Sequence, residues 1–459
     1  MIESTDVAVV GAGPAGLAAA STAAARGLSV ILVDAAPRPG GQFYRQTPPE
    51  LAETPPRDRY AAGLLAGATQ EGVRTLAGTD VWGIFPEGEG YLLCLYGPLT
   101  APRRLIARKV ILAPGAHDRP APFPGWTLPG VMTAGAGLTL VKHQHILPGR
   151  RVLLSGTGPL QLALARCLIE AGAEVAAVLD CNRFPWAAWR RVPAAWGQWE
   201  RLAEGWAAWR TMQRAGVRIR WGQTVHRAEG DGRVERVVIG PVGGADADSV
   251  PVVADAVCLG YGFVPAVQLS RQAGCEHRYH PRQRVYAPVR DAALQTTLPG
   301  LFVAGDGAGI AGKDVARLEG QLAALRVAHQ LGRPVAAEEV ERIERELARQ
   351  RRFAALLDAL FPFSLPPAAL LTDDTVLCRC EEVTVGQVRQ AVAEGATTVN
   401  AIRMLTRAGM GRCQGRTCGG PAAELLAQLL GVPVEAVGQA TSRPPVIPAP
   451  LDGLLEDAP

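Results

Sequence analysis

The 459-residue chain has no positively charged amino-terminal segment followed by an apolar stretch, and no run of about 18 apolar residues. These absences remove a secretion signal and a membrane-spanning helix from the reading. A cytoplasmic location is expected, and any attachment at the inner face of the cell membrane would run through partners. Basic tracts are missing too: 47 Lys and Arg stand against 43 Asp and Glu, a formal net charge of +4 with no clustered stripe, so nucleic acid is not an expected partner. Nine cysteines do not make a secreted disulfide framework, because Cys94, Cys167, Cys181, Cys258 and Cys275 are scattered. The length predicts two to four domains of about 100–200 residues each.

What is present begins at Val7 to Asp34, VAVVGAGPAGLAAASTAAARGLSVILVD, which reads as strand, glycine turn, helix, strand and terminal acid. Gly11 permits the tight turn, Gly13 lets backbone approach a pyrophosphate, Gly16 lets helix and strand pack closely, and Asp34, 23 residues after Gly11, can bind a ribose hydroxyl. A dinucleotide site is therefore predicted at this end. The turn at Gly40 and Gly41 offers further close approach. Residues 47 to 60 read as an irregular excursion, Ala61 to Glu71 as a helix, and Val73 to Ala77 and Val81 to Phe85 as strands. KVILAPGA, Lys109 to Ala116, reads as an apolar strand running into a Pro-Gly turn.

Arg151 to Asp180 repeats the opening architecture, with Gly156, Gly158 and Asp180 in place but Gln161 where the third glycine belongs. A side chain there is expected to push the helix outward or alter the pocket. A working NAD(P)H site, a structural relic and a different adenine nucleotide stay open as alternatives. Trp186, Trp189, Trp196, Trp199, Trp206 and Trp209 recur in pairs three residues apart, so each pair shares a helical face. The plain expectation is that they pack the helices onto the domain; a partner-facing surface is the alternative. Val217 to Trp221 and Val234 to Ile239 read as a hairpin about Gly230 to Gly232. GLFVAGDGAG, Gly300 to Gly309, is a buried strand ending in Gly305 and Asp306, whose acid can accept from a ribitol hydroxyl. Two such ends meeting on one extended cofactor point to FAD. Ala336 to Leu360 reads as a charged helix with a solvated face.

The remaining cysteines are crowded: Cys378 and Cys380 form C-x-C, and after a gap of 32 residues Cys413 and Cys418 form C-x4-C. Four thiolates on two glycine-rich loops can hold one metal centre. A [2Fe–2S] cluster is favoured over zinc, whose structural sites prefer wider C-x2-4-C spacing, and over purely structural thiols. Thr384 is a predicted helix N-cap, and Pro421 lies in the first turn of a further helix.

The runs APGAHDRPAPFPGWTLPGVMTAGAG, RPGGQFYRQ, AGDGAGIAGKDVARLEGQLAA, CRCEEVT and RAGMGRCQGRTCGG together resemble the A subunits of bacterial opine oxidases, the B subunit of hydrogen cyanide synthase and the flavin subunits of hydroxyproline and dye-linked proline dehydrogenases. The resemblance implies an α/β fold, a two-dinucleotide-binding-domain flavoprotein of the glutathione/thioredoxin-reductase type, with a small helical C-terminal BFD-like [2Fe-2S] domain. It implies FAD contacts at Gly11, Gly13, Pro14, Ala15, Gly16, Asp34, Gly41, Gln42, Val81, Gly115, Gly305 and Asp306, and cluster ligands at Cys378, Cys380, Cys413 and Cys418. An adenine nucleotide at Gly156, Gly158 and Asp180 and an FMN at a subunit interface are further implications. The expected division is 1–115 and 255–335 for the FAD domain, 116–254 for the second Rossmann domain, 336–372 for a helical linker, 373–440 for the cluster module and 441–459 for a proline-rich tail.

The same likeness implies an electron-transfer subunit of a heteromeric dehydrogenase. A partner similar to D-amino-acid oxidase, with a small third subunit, would oxidise the C–N bond of an opine, proline, hydroxyproline or glycine, and a respiratory acceptor would take the electrons. A stand-alone NAD(P)H-dependent reductase is the competing reading, although no redox C-x2-C pair is present; a non-enzymatic iron–sulfur sensor is a third. No general base is identified. His117, Asp118 and Arg119 read as a crossover loop with local polar contacts, with one of them facing a flavin as the alternative, and Lys142, His143 and His145 as a helix end that is either a basic surface or a flavin phosphate contact.

Overall fold

A computed structural model describes residues 2–51, 59–98, 100–184, 190, 193, 195–244, 248–366 and 368–450. Trp186 and Trp189, part of the excursion before residue 60 and the end of the proline-rich tail lie outside the described residues. The chain forms two compact units: Met1–His117 with Val264–Ala354 and Ser442–Pro459, and Asp118–Phe263 with Ala355–Thr441.

The first unit is built on a seven-stranded sheet. Val73–Ala77, Val30–Asp34, Ile2–Val10 and Arg104–Leu112 run parallel in that order, and Leu301–Val303 joins Arg104–Leu112 in parallel. Ile2–Val10 is buried along Val7 to Val10, with Val7 and Val9 in a core shared with the helices Pro14–Ala24 and Lys313–Gln330, and Ala8 and Val10 in one shared with the strands Asp80–Glu87 and Gly90–Tyr96. The helix Pro14–Ala24 starts with Gly13 at its N-cap and Pro at its first position, where a missing N–H costs nothing. Its alanines admit the helix Lys313–Gln330 at close range: a Cβ on Gly320 would lie 2.0 Å from the Ala15 carbonyl oxygen. The helix Ala337–Leu360 keeps its expected charged face, while Val340, Ile343 and Leu347 are buried in the same core.

Three expectations are corrected. The helix expected over Ala61 to Glu71 is Arg59–Ala66 followed by a 3-10 turn, Gly67–Thr69. A Cβ on Gly67 would meet the Ser21 Cβ at 2.9 Å, so the chain turns where it touches the first helix. The expected strand at Val81 is Asp80–Glu87, and it pairs with an unforeseen strand, Gly90–Tyr96, in a hairpin. Lastly, Val217 to Trp221 is not half of a hairpin. Ile219–Trp221 lies parallel to Glu174–Asp180, and Gln223–Glu229 takes its place opposite Arg236–Pro241. Gly222, at φ +69°, turns the chain between the two sheets.

The second unit carries a five-stranded parallel sheet ordered Ile219–Trp221, Glu174–Asp180, Arg151–Gly156, Ala256–Gly260, Val131–Thr133. The helix Leu160–Glu170 follows its glycine turn. The packing expected of the tryptophans fails for those described, because the helix Trp199–Arg214 buries Ala208 and Met212 instead. Trp196, Trp199, Trp206 and Trp209 are exposed, and they meet in pairs, the first edge to face and the second tilted, with ring centres 5.2 and 4.8 Å apart. The cysteine segment forms a two-stranded ribbon, Val376–Cys378 with Val383–Thr384, and the helices Val385–Ala393, Val399–Thr406 and Gly419–Leu430. Thr384 caps the first of these in a reciprocal capping box with Gln387.

Candidate cofactor sites

The glycines of the first turn are dictated by contact as well as by conformation. Gly11 has φ +102°, and a Cβ there would lie 2.2 Å from the Ala113 carbonyl oxygen; on Gly16 it would lie 1.7 Å from the Gly11 oxygen. No side chain fits at either position. A Cβ on Gly41 would come 2.7 Å from Gly13 Cα, so the two glycines hold a bare strip of backbone open. Asp34 accepts from the Ala12 and Ala36 amides, which sets its carboxylate at the edge of the turn. Pro14 and Ala15 open the helix; Ala15 is buried.

At the same carboxyl end of the parallel strands, Gly305 packs against Ala15 and Ala316. Asp306 accepts from the amides of Ala311 (3.0 Å) and Gly312 (3.1 Å). Burial pushes its pKa up, and these two amides oppose that shift. The Lys313 ammonium sits 4.7 Å from the Phe43 ring centre, which ties the Gly40–Gly41 turn to the start of the second helix. Gln42 accepts from Arg45, Val81 is a core residue, and Gly115 has φ +69° with open space where a side chain would stand. Side-chain-free backbone beside two carboxylates fits an extended dinucleotide carrying phosphates and hydroxyls.

Glu319 was missed from the sequence. It is 2 % exposed, accepts from both Arg290 nitrogens (2.6 and 2.9 Å) and from Arg351 (2.8 Å), and takes the Gly305 amide at 2.9 Å. Burial pushes its pKa up, but the two guanidinium groups outweigh burial and hold it below the usual value. Its signal was faint, an acid beside Arg317 and Gln321 in a mostly apolar helical stretch, VARLEGQLAAL. Asp118 accepts from the Gly135 amide, 17 residues on, whereas Arg119 donates to the Phe263 carbonyl, 144 residues along the chain rather than local as expected.

The four clustered cysteines sit as two pairs, Cys378 with Cys418 and Cys380 with Cys413. The hydrogen bond from Cys418 holds the Cys378 thiol down at about 5, helped by the amides of Gly409, Glu381 and Cys380; Cys418, as donor, is pushed up. Cys413 receives the Thr417 and Gly415 amides. Among the described residues no three His, Cys, Asp or Glu side chains are arranged around one ion. Two thiol pairs with amides aimed at sulfur fit a two-iron cluster better than a single tetrahedral ion. Gly411 is required beside them, since a Cβ there would lie 2.3 Å from Cys380 Cβ. Cys378 and Cys418 are buried, and Cys380 is exposed.

In the second glycine turn Gln161 is buried. Its amide nitrogen donates to the Leu179 carbonyl (3.2 Å), and its oxygen accepts from the Thr157 amide (2.9 Å). The pocket is altered, as expected, by a side chain folded into the turn. Asp180 accepts from the Asn182 and Gly158 amides, and burial pushes its pKa up to about 6.

Residues 5–332 match the family model for pyridine nucleotide-disulphide oxidoreductases, and residues 376–428 match the BFD-like [2Fe-2S] binding domain. The chain is 36% identical to the A subunit of opine oxidase from Agrobacterium tumefaciens (strain Ach5), across 97% of this chain and 90% of that protein. It is 34% identical to the hydrogen cyanide synthase subunit HcnB of Pseudomonas aeruginosa, across 96% of this chain and 97% of that one. In fold it matches the L-proline dehydrogenase from P. horikoshii with a TM-score of 0.73 at 23% identity, covering 99% of this chain and 81% of that chain. FAD and a [2Fe–2S] cluster are its cofactors. With both models matched and near-complete coverage, the chain belongs to the family of opine oxidase A subunits and HcnB subunits, oxidoreductases that join a dinucleotide-binding fold to a BFD-like [2Fe-2S] domain.

Proposed function

We propose that this chain is the electron-transfer subunit of a heteromeric dehydrogenase that oxidises the C–N bond of an opine, proline, hydroxyproline or glycine to an imine. The observation that carries the reading is the pairing, on one chain, of a glycine cradle for FAD with four amide-supported cysteines. FAD supplies two-electron acceptance and the cluster one-electron transfer. Gly11, Gly13 and Gly41 bring bare backbone to the pyrophosphate, Gly16 lets helix and strand pack closely, Pro14, Ala15, Gln42, Val81 and Gly115 are further FAD contacts, and Asp34 and Asp306 accept from sugar and ribitol hydroxyls. Cys378, Cys380, Cys413 and Cys418 are the thiolate ligands, and the amides donated to their sulfurs favour the thiolate form. Gly156, Gly158 and Asp180 are the seat of any adenine nucleotide held in the second Rossmann domain.

The domain division follows the motifs: 1–115 with 255–335, 116–254, 336–372, 373–440 and 441–459. The single sheet that joins Ile2–Val10, Arg104–Leu112 and Leu301–Val303 supports its first part. The partner is a catalytic subunit similar to D-amino-acid oxidase, with a small third subunit, an FMN at their interface and a respiratory acceptor. No described helix is long and apolar enough to cross a membrane, so contact with a membrane-bound acceptor at the inner face runs through the partners. The chain purified alone and with its co-expressed partner is mixed anaerobically with each amino acid, and flavin bleaching is followed. Bleaching only in the complex is expected; equal bleaching by the chain alone would remove the two-subunit reading.

A further inference from the structure

The chain contains two copies of one glycine turn, and the first serves as a control for the second. In the first, Gly16 leaves no space for a side chain, and the residue two beyond the acid is Ala36, a methyl group with nothing to donate. In the second, the equivalent positions carry Gln161, which is folded into the turn, and Asn182. The Asn182 amide nitrogen donates to the Thr157 hydroxyl at 2.7 Å, inside the glycine turn, and to the Pro362 carbonyl at 3.0 Å. Pro362 belongs to the stretch between the helix Ala337–Leu360 and the cluster module. That stretch is fastened just after the contact, by Phe363 with the Arg119 guanidinium 4.3 Å from its ring centre, and by Leu365 packed on the core around Tyr261. Asp34 is half-buried and Asp180 is 3 % exposed, and each carboxylate accepts from backbone amides of its own turn.

We infer that Asn182 is a specificity-determining residue. By bridging the glycine turn to the Pro362 carbonyl it closes the second Rossmann crevice to dinucleotides, so NAD(P)H is excluded as electron donor. Gln161 reinforces the closure by filling the turn, its amide lying between the Leu179 carbonyl and a Thr157 amide that also donates to the Gly260 carbonyl at 2.8 Å. An adenine nucleotide reaches Gly156, Gly158 and Asp180 only when the Asn182 bridge opens, so its apparent affinity is reduced by the fraction of chain in the open form. This inference rests on the reading of those three residues as a nucleotide seat. It does not depend on which amino acid the complex oxidises.

The test compares the FAD- and cluster-loaded wild-type chain with Asn182→Ala and with Gln161→Gly/Asn182→Ala. NADH and ADP binding are measured by titration calorimetry, and flavin bleaching by NADH is followed under nitrogen. Visible spectra of flavin and cluster confirm that each variant is loaded; Asn182→Ser replaces a variant that is not. Loss of two hydrogen bonds from the closed form is expected to tighten ADP or NADH binding about tenfold or more, with wild type binding weakly or not at all. Equal affinity in wild type and variants, whether tight or absent, overturns the inference. Substrate-driven bleaching of the complex is a separate readout, so a failure of the proposed function would be recognised independently.

Discussion

Replacing Glu319 with glutamine removes one charge from a site where two guanidinium groups and a backbone amide converge. Glu319 is 2 % exposed and Arg290 17 %, so their bidentate pair is shielded from water, while Arg351 is 48 % exposed and its share is screened. Breaking a buried pair by removing one partner costs about 3–5 kcal/mol. Glutamine still offers an oxygen to the Gly305 amide, so about 3 kcal/mol is expected, with Arg351 contributing under about 1. Alanine also strands the Gly305 amide and is expected to cost roughly 1–3 kcal/mol more. The sign with pH follows from a folded pKa held below the ordinary glutamate value of 4.5. The stabilisation is complete above the unfolded pKa and is lost as pH falls through the lower, folded value. Urea denaturation of the loaded chain should therefore show a gap between wild type and Glu319→Gln that is full at pH 7 and closes in acid. A gap under about 1 kcal/mol at pH 7, or one that widens rather than shrinks as pH falls below the ordinary glutamate value, would refute the reasoning.

Gly16→Ala should abolish FAD retention, or lower FAD affinity by more than about tenfold, because its Cβ falls 1.7 Å from the Gly11 oxygen; flavin absorbance after gel filtration reads it. Cys380→Ser should remove iron and the cluster's visible absorbance while leaving bound flavin, whereas Cys167→Ser, outside the cluster module, should leave both unchanged. Asp180→Asn should stabilise the chain at neutral pH. Burial raises the Asp180 pKa from 3.8 to about 6, so its folding cost is full above pH 6, falls as pH drops and vanishes below 3.8. That is roughly 3 kcal/mol at most at pH 7, and a denaturation series from pH 7 to pH 4 should show the gain shrinking.

The two glycine turns show how one motif can be kept and then put to a different use. Sequence spacing alone placed Gly156, Gly158 and Asp180 in the same positions as Gly11, Gly13 and Asp34. The difference lies in what fills the space above them: bare backbone at the first turn, and the Gln161 and Asn182 amides at the second. The tryptophans carry a similar lesson. Their spacing gave each pair a shared helical face, but spacing says nothing about which face meets the core, and on Trp199–Arg214 the core side went to Ala208 and Met212.

Local stereochemistry made the first dinucleotide turn and the cysteine module legible. A residue at φ +102° between strand and helix calls for glycine whatever surrounds it, and thiols spaced C-x-C and C-x4-C meet on adjoining loops of one small module. Partnership over distance was not legible. Ile219–Trp221 chose a parallel neighbour over the nearby hairpin, since strand pairing is set by the sheet that needs an edge. Glu319 reads as an ordinary helical acid until the fold brings Arg290 from 29 residues away, Arg351 from 32 and the Gly305 amide onto its carboxylate. Asn182 finds its second acceptor 180 residues along the chain, at Pro362. Short-range geometry wrote the cofactor cradles; long-range packing determined which stays open and what holds each in place.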